Sequence, residues 1–252
     1  MPADLVATKR DGHVLIITMQ RDTKRNAVDR AMADQLDVAF NELEDDSALW
    51  AGVLAGSSVA FSAGSDLKSE GDYYTERGGE YAIIRRQRRK PLIAAVEAMA
   101  LGGGMEIALA CDLVIASETA TFGLPEVKRG LIPACAGLFR GPRALPLNIA
   151  TELILTGDSI SAQRAAELGF ANQVVPTGTA LEAAKALADK ICQNGPVAVQ
   201  LALEAIRASV ATNDELGWTL TEKARTAVYA SEDRTEGVSA FFEKRAPQWT
   251  GR

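Results

Sequence analysis

Histidine is almost missing from this chain: His13 is the only one in 252 residues. It sits in Asp11-Gly12-His13, a turn just ahead of an apolar run, where a histidine is expected to be a surface residue. One histidine excludes a histidine metal cluster, and a Ser-His-Asp or Cys-His hydrolase would have to use this one. Cysteine is also scarce. Cys111, Cys135 and Cys192 are odd in number, far apart and without a CxxC pair, the pattern expected in a reducing cytoplasm with no disulfide framework. No apolar run reaches the ~18 residues of a membrane span. The first dozen residues have no apolar h-region, so no secretion signal is expected. Basic residues are outnumbered, 27 against 33, and the net charge of −6 argues against nucleic acid as the main partner. Chemistry in such a chain falls to carboxylates and backbone amides.

What is present suits one large domain, or a domain with a helical appendage. Hydrophobic content of 47% is enough for a sizeable core. Val14 to Met19 reads as a buried strand, and the polar, basic loop Gln20 to Ala27 follows it. Met32, Leu36, Phe40 and Leu43 recur at helical spacing and predict an amphipathic helix over 29–45. Trp50 to Ala55 is a second strand, and Phe61 to Leu67 is a loop of small residues. Residues 68–80, with Gly71, Gly78 and Gly79, read as a mobile loop, and 81–89 as helix. Five bases fall within Arg85 to Lys90, either as a solvated helix face or as a landing surface for phosphates. No aromatics interleave them, which weakens a nucleic-acid groove. Strand, helix and strand in alternation predict an α/β architecture.

From about residue 144 the pattern turns mostly helical. A short helix is capped by Ser161 and stopped by Gly169. Helices follow over 179–192, 196–211 and 214–230, and a last one runs through Lys244 behind the capping-box spacing Asp233 to Glu236. This change divides the chain into a core, 1–145, and a helical region, 146–252, expected to pack on itself or on neighbouring subunits.

The most telling stretch is Ala98 to Glu126. The apolar run Pro91 to Val96 leads into Gly102, Gly103 and Gly104, a short helix begins with Glu106 in its first turn, and a second apolar run, Leu113 to Ala116, is followed by a loop carrying Pro125 and Glu126. Glycines at a strand-to-helix turn let backbone approach a ligand closely. The helix start offers unpaired N–H groups with a partial positive charge, suited to a developing oxyanion. Two carboxyls flanking that point can pass a proton in each direction.

Taken in order, several segments resemble the crotonase superfamily, represented by enoyl-CoA hydratase. They are Lys24 to Ala27, Phe61 to Leu67, Ala100 to Glu106, Phe122 to Glu126, Leu155 to Asp158 with Ser161-Ala162, and Glu232 to Gly237 with Phe242 to Arg245. The ending Glu243 to Trp249 looks more like the carnitinyl-CoA dehydratase branch. The resemblance covers nearly the whole chain. It implies an α/β fold, a spiral of ββα turns with a helical C-terminal region, assembled as a homotrimer or dimer of trimers. It implies hydration of an α,β-unsaturated acyl-CoA, with CoA as part of the substrate and no other cofactor or metal. By similarity the amides of Ser65 and Gly103 form an oxyanion hole, and Glu106 and Glu126 are the catalytic acids. The acyl-CoA is then met by Lys24, Arg25, Ala27, Ala63, Ser65, Asp66, Leu67, Gly102, Gly103, Pro125 and Glu126, with Lys24 and the basic run near the phosphates.

Two departures stand out. Glu97-Ala98 replaces a frequent Asn-Gly, so Glu97 is either a third acid near the site entrance or a structural contact. Cys135 brings bulk where the family often has glycine, or it is simply a small buried hydrophobe. A dinucleotide-binding loop fails, because the third glycine position after Gly102 and Gly104 is Ile107. A double-bond isomerase can run on one carboxylate, so keeping two favours hydration or dehydration. A non-catalytic acyl-CoA binder would need neither glutamate, and RNA binding through Arg85 to Lys90 is the remaining outsider.

Overall fold

The computed structural model describes residues 4–69 and 72–251; Gly71, part of the open loop expected over 68–80, lies outside them. Two sheets organise the chain. The larger joins Val6–Asp11 (β1), Val14–Met19 (β2), Ala51–Ala55 (β3), Leu92–Val96 (β7), Leu113–Ser117 (β9) and Gln173–Val175 (β12) in that spatial order. Only the β1–β2 hairpin is antiparallel; the other pairs are parallel. The smaller joins Ser159–Ser161 (β11), Thr121–Gly123 (β10), Met99–Leu101 (β8) and Ala60–Ser62 (β4), with β4, β8 and β10 parallel. A short hairpin, Tyr74–Thr75 (β5) with Gly79–Glu80 (β6), stands apart. Three successive turns of the spiral thus give one strand to the large sheet (β3, β7, β9) and the next to the small one (β4, β8, β10).

Burial explains which residues form these strands. Along β2, Leu15, Ile17 and Met19 enter the main core, which also takes Met32, Leu36, Phe40 and Leu43 of helix α1 (Arg30–Asp45). Val14 and Ile16 face the other way. There helix α6 (Ala180–Cys192) covers the sheet with Ala180, Ala184 and Ala188, whose small side chains sit at one-turn spacing. A strand buried on both faces reads as a continuous apolar run, which is why β2, β3, β7 and β9 were legible. Asp29 caps α1 by accepting from the Met32 amide.

The remaining helices are α2 (Gly103–Ala110), α3 (Gly137–Ala144), α4 (Leu147–Thr156), α5 (Ala162–Glu167), α7 (Pro196–Val210), α8 (Asp214–Tyr229) and α9 (Glu232–Glu243). Ser161 caps α5 as expected, whereas α9 is capped by Ser231, two residues before the expected start. The region beyond 145 is not wholly helical, since β11 and β12 extend both sheets. No helix among the described residues is long and apolar enough to cross a membrane.

One expected element is absent. Residues 81–89 form no helix, and the segment 68–80 folds partly as the β5–β6 hairpin. From Arg85 to Lys90 exposure alternates, with Arg86, Arg88 and Lys90 buried. Arg86 bonds Asp37 at 2.5 Å and Asn41 at 2.7 Å. Arg88 bonds Asp112 at 2.9 Å, and Lys90 donates to the Leu43 and Asp46 carbonyls, both at 2.6 Å. These bases are internal struts. Neither the solvated face nor the phosphate surface describes them, and the RNA reading loses its patch.

Asp112 also holds Arg207 of α7 at 2.5 Å, so one carboxylate bridges two guanidinium groups, buried Arg88 and part-buried Arg207. Asp112→Asn should lower unfolding stability by about 3 kcal/mol, because it strands buried charge. Urea denaturation checks this, and a change within error would mean that the pair is dispensable.

Candidate active site

The small sheet assembles the site. Its three adjacent parallel strands β4, β8 and β10 end side by side, and each is followed at once by a singled-out residue. Ser65 comes after β4, Gly103 and Glu106 after β8, and Pro125 and Glu126 after β10. The register fixes the alignment, pairing Phe122 with Ala100 and Gly123 with Leu101. Gly102 then donates its amide to the Gly123 carbonyl at 2.9 Å, tying the glycine turn to the strand that precedes Glu126.

Backbone approaches here leave no room for side chains. Gly64 has φ +85°, and a Cβ on it would lie 2.6 Å from the Gly103 nitrogen. Gly102 has φ +58°, and its Cβ would lie 3.2 Å from Glu126 Oε1. Ser65 and Gly103 are therefore neighbours. Among the described residues neither amide donates a hydrogen bond: Gly103 opens α2, and the bridge between Val28 and Ser65 uses the Val28 and Asp66 amides.

Glu106 is 2% exposed. Its Oε1 accepts from the Gly137 amide at 2.8 Å. Glu126 lies on the 3₁₀ turn Pro125–Arg129, and its Oε2 is buried without a partner among the described residues. Burial raises both carboxyls above the usual range. The Glu126 charge raises Glu106 further, while the nearby Arg129 guanidinium partly offsets the effect on Glu126. Two such acids titrate as a pair that retains a proton where isolated carboxylates have lost theirs.

The loops expected to meet CoA lie together around this centre. Ala63 donates its amide to the Arg25 carbonyl at 3.0 Å, Asp66 donates to Val28 at 3.0 Å, and the Gly64 carbonyl accepts from Val28 at 2.7 Å. Arg25 and Asn26 both adopt φ 52°, and buried Asn26 braces the turn by donating to the Ala60 carbonyl at 2.9 Å. Lys24, Arg25 and Leu67 are exposed at the rim, while Ala27 is buried. The Asp66 carboxylate is engaged by Arg21 at 3.0 Å, with Lys24 3.9 Å away.

Glu97 is a structural contact. It accepts from the Gly178 amide and from Ala180 at 3.1 Å, capping α6. Cys135 is buried against the site. His13 stacks on Trp50 at 3.5 Å, away from the glutamates. Sequence reasoning missed Tyr81, which it placed in a helix. Its hydroxyl lies 2.8 Å from Ser65 Oγ, and its ring stacks on Tyr73 at 4.5 Å. No local pattern signals that contact.

The raised carboxyls carry a signed consequence. Their folded-state pKa values exceed those of the unfolded chain, so the native state binds protons more tightly and stability falls as pH rises from the ordinary carboxylate range to about 8. Glu106→Gln keeps the acceptor for Gly137 and removes that titration. The variant should gain stability over the wild type by about 1–3 kcal/mol between about pH 5 and about pH 8. Calorimetric melting across that range tests it; a pH-independent difference would contradict the assignment.

Comparison with known proteins identifies the family. The family model described as enoyl-CoA hydratase/isomerase matches residues 9–252. A 2,3-dehydroadipyl-CoA hydratase of Escherichia coli is 38% identical over 96% of this chain and 97% of its own. A probable enoyl-CoA hydratase of Mycobacterium bovis is 36% identical over the full length of both. The crystal structure of a carnitinyl-CoA hydratase from Mycobacterium avium superposes with a TM-score of 0.95 at 41% identity, covering 99% of this chain and 100% of that one. With its spiral of strands, its paired glutamates and a match along nearly its whole length, this chain belongs to the enoyl-CoA hydratase/isomerase family.

Proposed function

We propose that the chain is a hydro-lyase of the enoyl-CoA hydratase type, adding water reversibly across the C2=C3 bond of an α,β-unsaturated acyl-CoA thioester. The observation that carries this reading is the juxtaposition of two buried, proton-retaining carboxyls with two backbone amides that donate to no group among the described residues. The thioester oxygen sits at the Ser65 and Gly103 amides. Water held between the glutamates attacks C3 and gives its proton to Glu106. The double-bond electrons move onto the thioester oxygen, where the amides stabilise the enolate; one such donor is worth about 3 kcal/mol of barrier. Glu126 then delivers a proton to C2. With the proton on Glu106 and Glu126 ionised, the same pair runs the reverse dehydration.

Each step uses water and groups of the chain, and CoA enters as part of the substrate. Lys24 and Arg25 at the exposed rim suit its phosphates, and Ala27, Ala63, Asp66 and Leu67 line its approach. Retention of both glutamates supports hydration over isomerisation. We also read the enzyme as a cytoplasmic homotrimer or dimer of trimers. In support, α7 and α8 expose Val197, Leu201, Ile206, Val210, Leu216 and Leu220.

Glu106→Gln and Glu126→Gln should each lower hydration of crotonyl-CoA by about 100-fold or more while acyl-CoA affinity changes little. Full turnover in both variants would reject the site. Light scattering should give a mass of three or six chains, and a single-chain mass would reject the assembly.

A further inference from the structure

In the thioester reading, CoA enters over the exposed Lys24, Arg25 and Leu67, and the acyl group runs from the two amides toward Glu106. That side is walled. A Cβ on Gly103 would lie 2.2 Å from the Tyr81 hydroxyl oxygen, and the same hydroxyl is 2.8 Å from Ser65 Oγ. One phenol therefore abuts both residues whose amides face the thioester. Tyr73 stacks on it with rings 11° from parallel, and the buried Cys135 lies near both tyrosines. Cys135 lies two residues before Gly137, whose amide bonds Glu106, so this cluster begins beside the carboxyl that faces C3 in the thioester reading.

The wall is rigid. Tyr81 is 2% exposed, and Ala82, Ile83 and Ile84 beside it are equally buried. Tyr81 and Ala82 hold φ of 53° and 64°, conformations that persist only when the surroundings fix them. The Tyr81 amide donates to the Tyr73 carbonyl at 3.1 Å, locking the stacked pair together. Swinging the ring aside would pull it out of the main core.

We propose that Tyr81 is the residue that sets acyl-chain length: backed by Tyr73 and Cys135, it ends the acyl pocket close to C3, so the site takes short acyl groups and refuses long alkyl tails. This rests on the thioester reading of the site. A long tail would have to overpack the aromatic wall or stay in water.

The test uses saturated thioesters, which bind without being turned over. Calorimetric titration of the wild-type protein should show butanoyl-CoA binding at least about tenfold tighter than decanoyl-CoA. Tyr81→Ala should shrink that ratio or invert it. Tyr81→Phe, which keeps the ring, should preserve it. Wild-type protein that binds decanoyl-CoA as tightly as butanoyl-CoA overturns the proposal, as does an unchanged ratio in folded Tyr81→Ala. Should Tyr81→Ala not fold, the wild-type ratio and Tyr73→Ala decide, since loss of the stacked partner should also ease entry of the longer tail. Equal hydration of crotonyl- and 2-decenoyl-CoA would sink this inference and leave the hydratase reading standing. Selective binding with no hydration of either would do the reverse.

Discussion

Everything at the site depends on backbone lying against backbone where β4, β8 and β10 end. The turn at Gly64 rests on the Gly103 amide so closely that even a methyl group is excluded. That contact sets the Ser65 and Gly103 amides side by side, and neither donates a hydrogen bond among the described residues. It also draws the loop after β10 over the glycine turn, which brings Glu126 toward Glu106. The low polarizability of the enclosure then acts on both acids, and each resists ionisation more than it would in water. Strand register and proton affinity are thus two readings of one packing arrangement.

Charge is treated differently elsewhere in the molecule. Asp112 bridges Arg88 and Arg207, Asp37 holds Arg86, and Glu97 closes the open end of α6. By contrast, the buried side-chain polar atoms without a partner are Glu126 Oε2, Arg129 Nε, Arg140 Nη1 and Arg234 Nε among the described residues. Arg129 shares the turn of Glu126, Arg140 feels the charge of Glu106, and Arg234 lies on α9, which packs on that turn. Polar satisfaction is relaxed around the two carboxyls and kept where charges only brace the fold, the distribution expected of a working site.

Much of this was legible from residues alone, for reasons that also mark the limits. The strands β2, β3, β7 and β9 declare themselves because both of their faces are buried. Glu106 and Glu126 are found because their glycine turn and returning loop come in a fixed order. By contrast, β1, β11 and β12 are short or edge strands with polar content, so no apolar run betrays them. The basic run at Arg85 to Lys90 misleads because sequence displays charge and hides the partner: Arg86 answers Asp37, and Arg88 answers Asp112. Tyr81 was invisible for the same reason, since its meaning lies in Ser65 and Gly103.

The seat of α9 has a consequence for how the enzyme comes into being. Gly130, at the end of the Glu126 turn, meets the backbone of Asp233, and Gly237 meets that of Arg129, both too closely for a side chain. The turn is therefore clasped by a helix that emerges from the ribosome long after it. Chains halted before that helix would carry both glutamates yet leave the turn that holds Glu126 without its clasp.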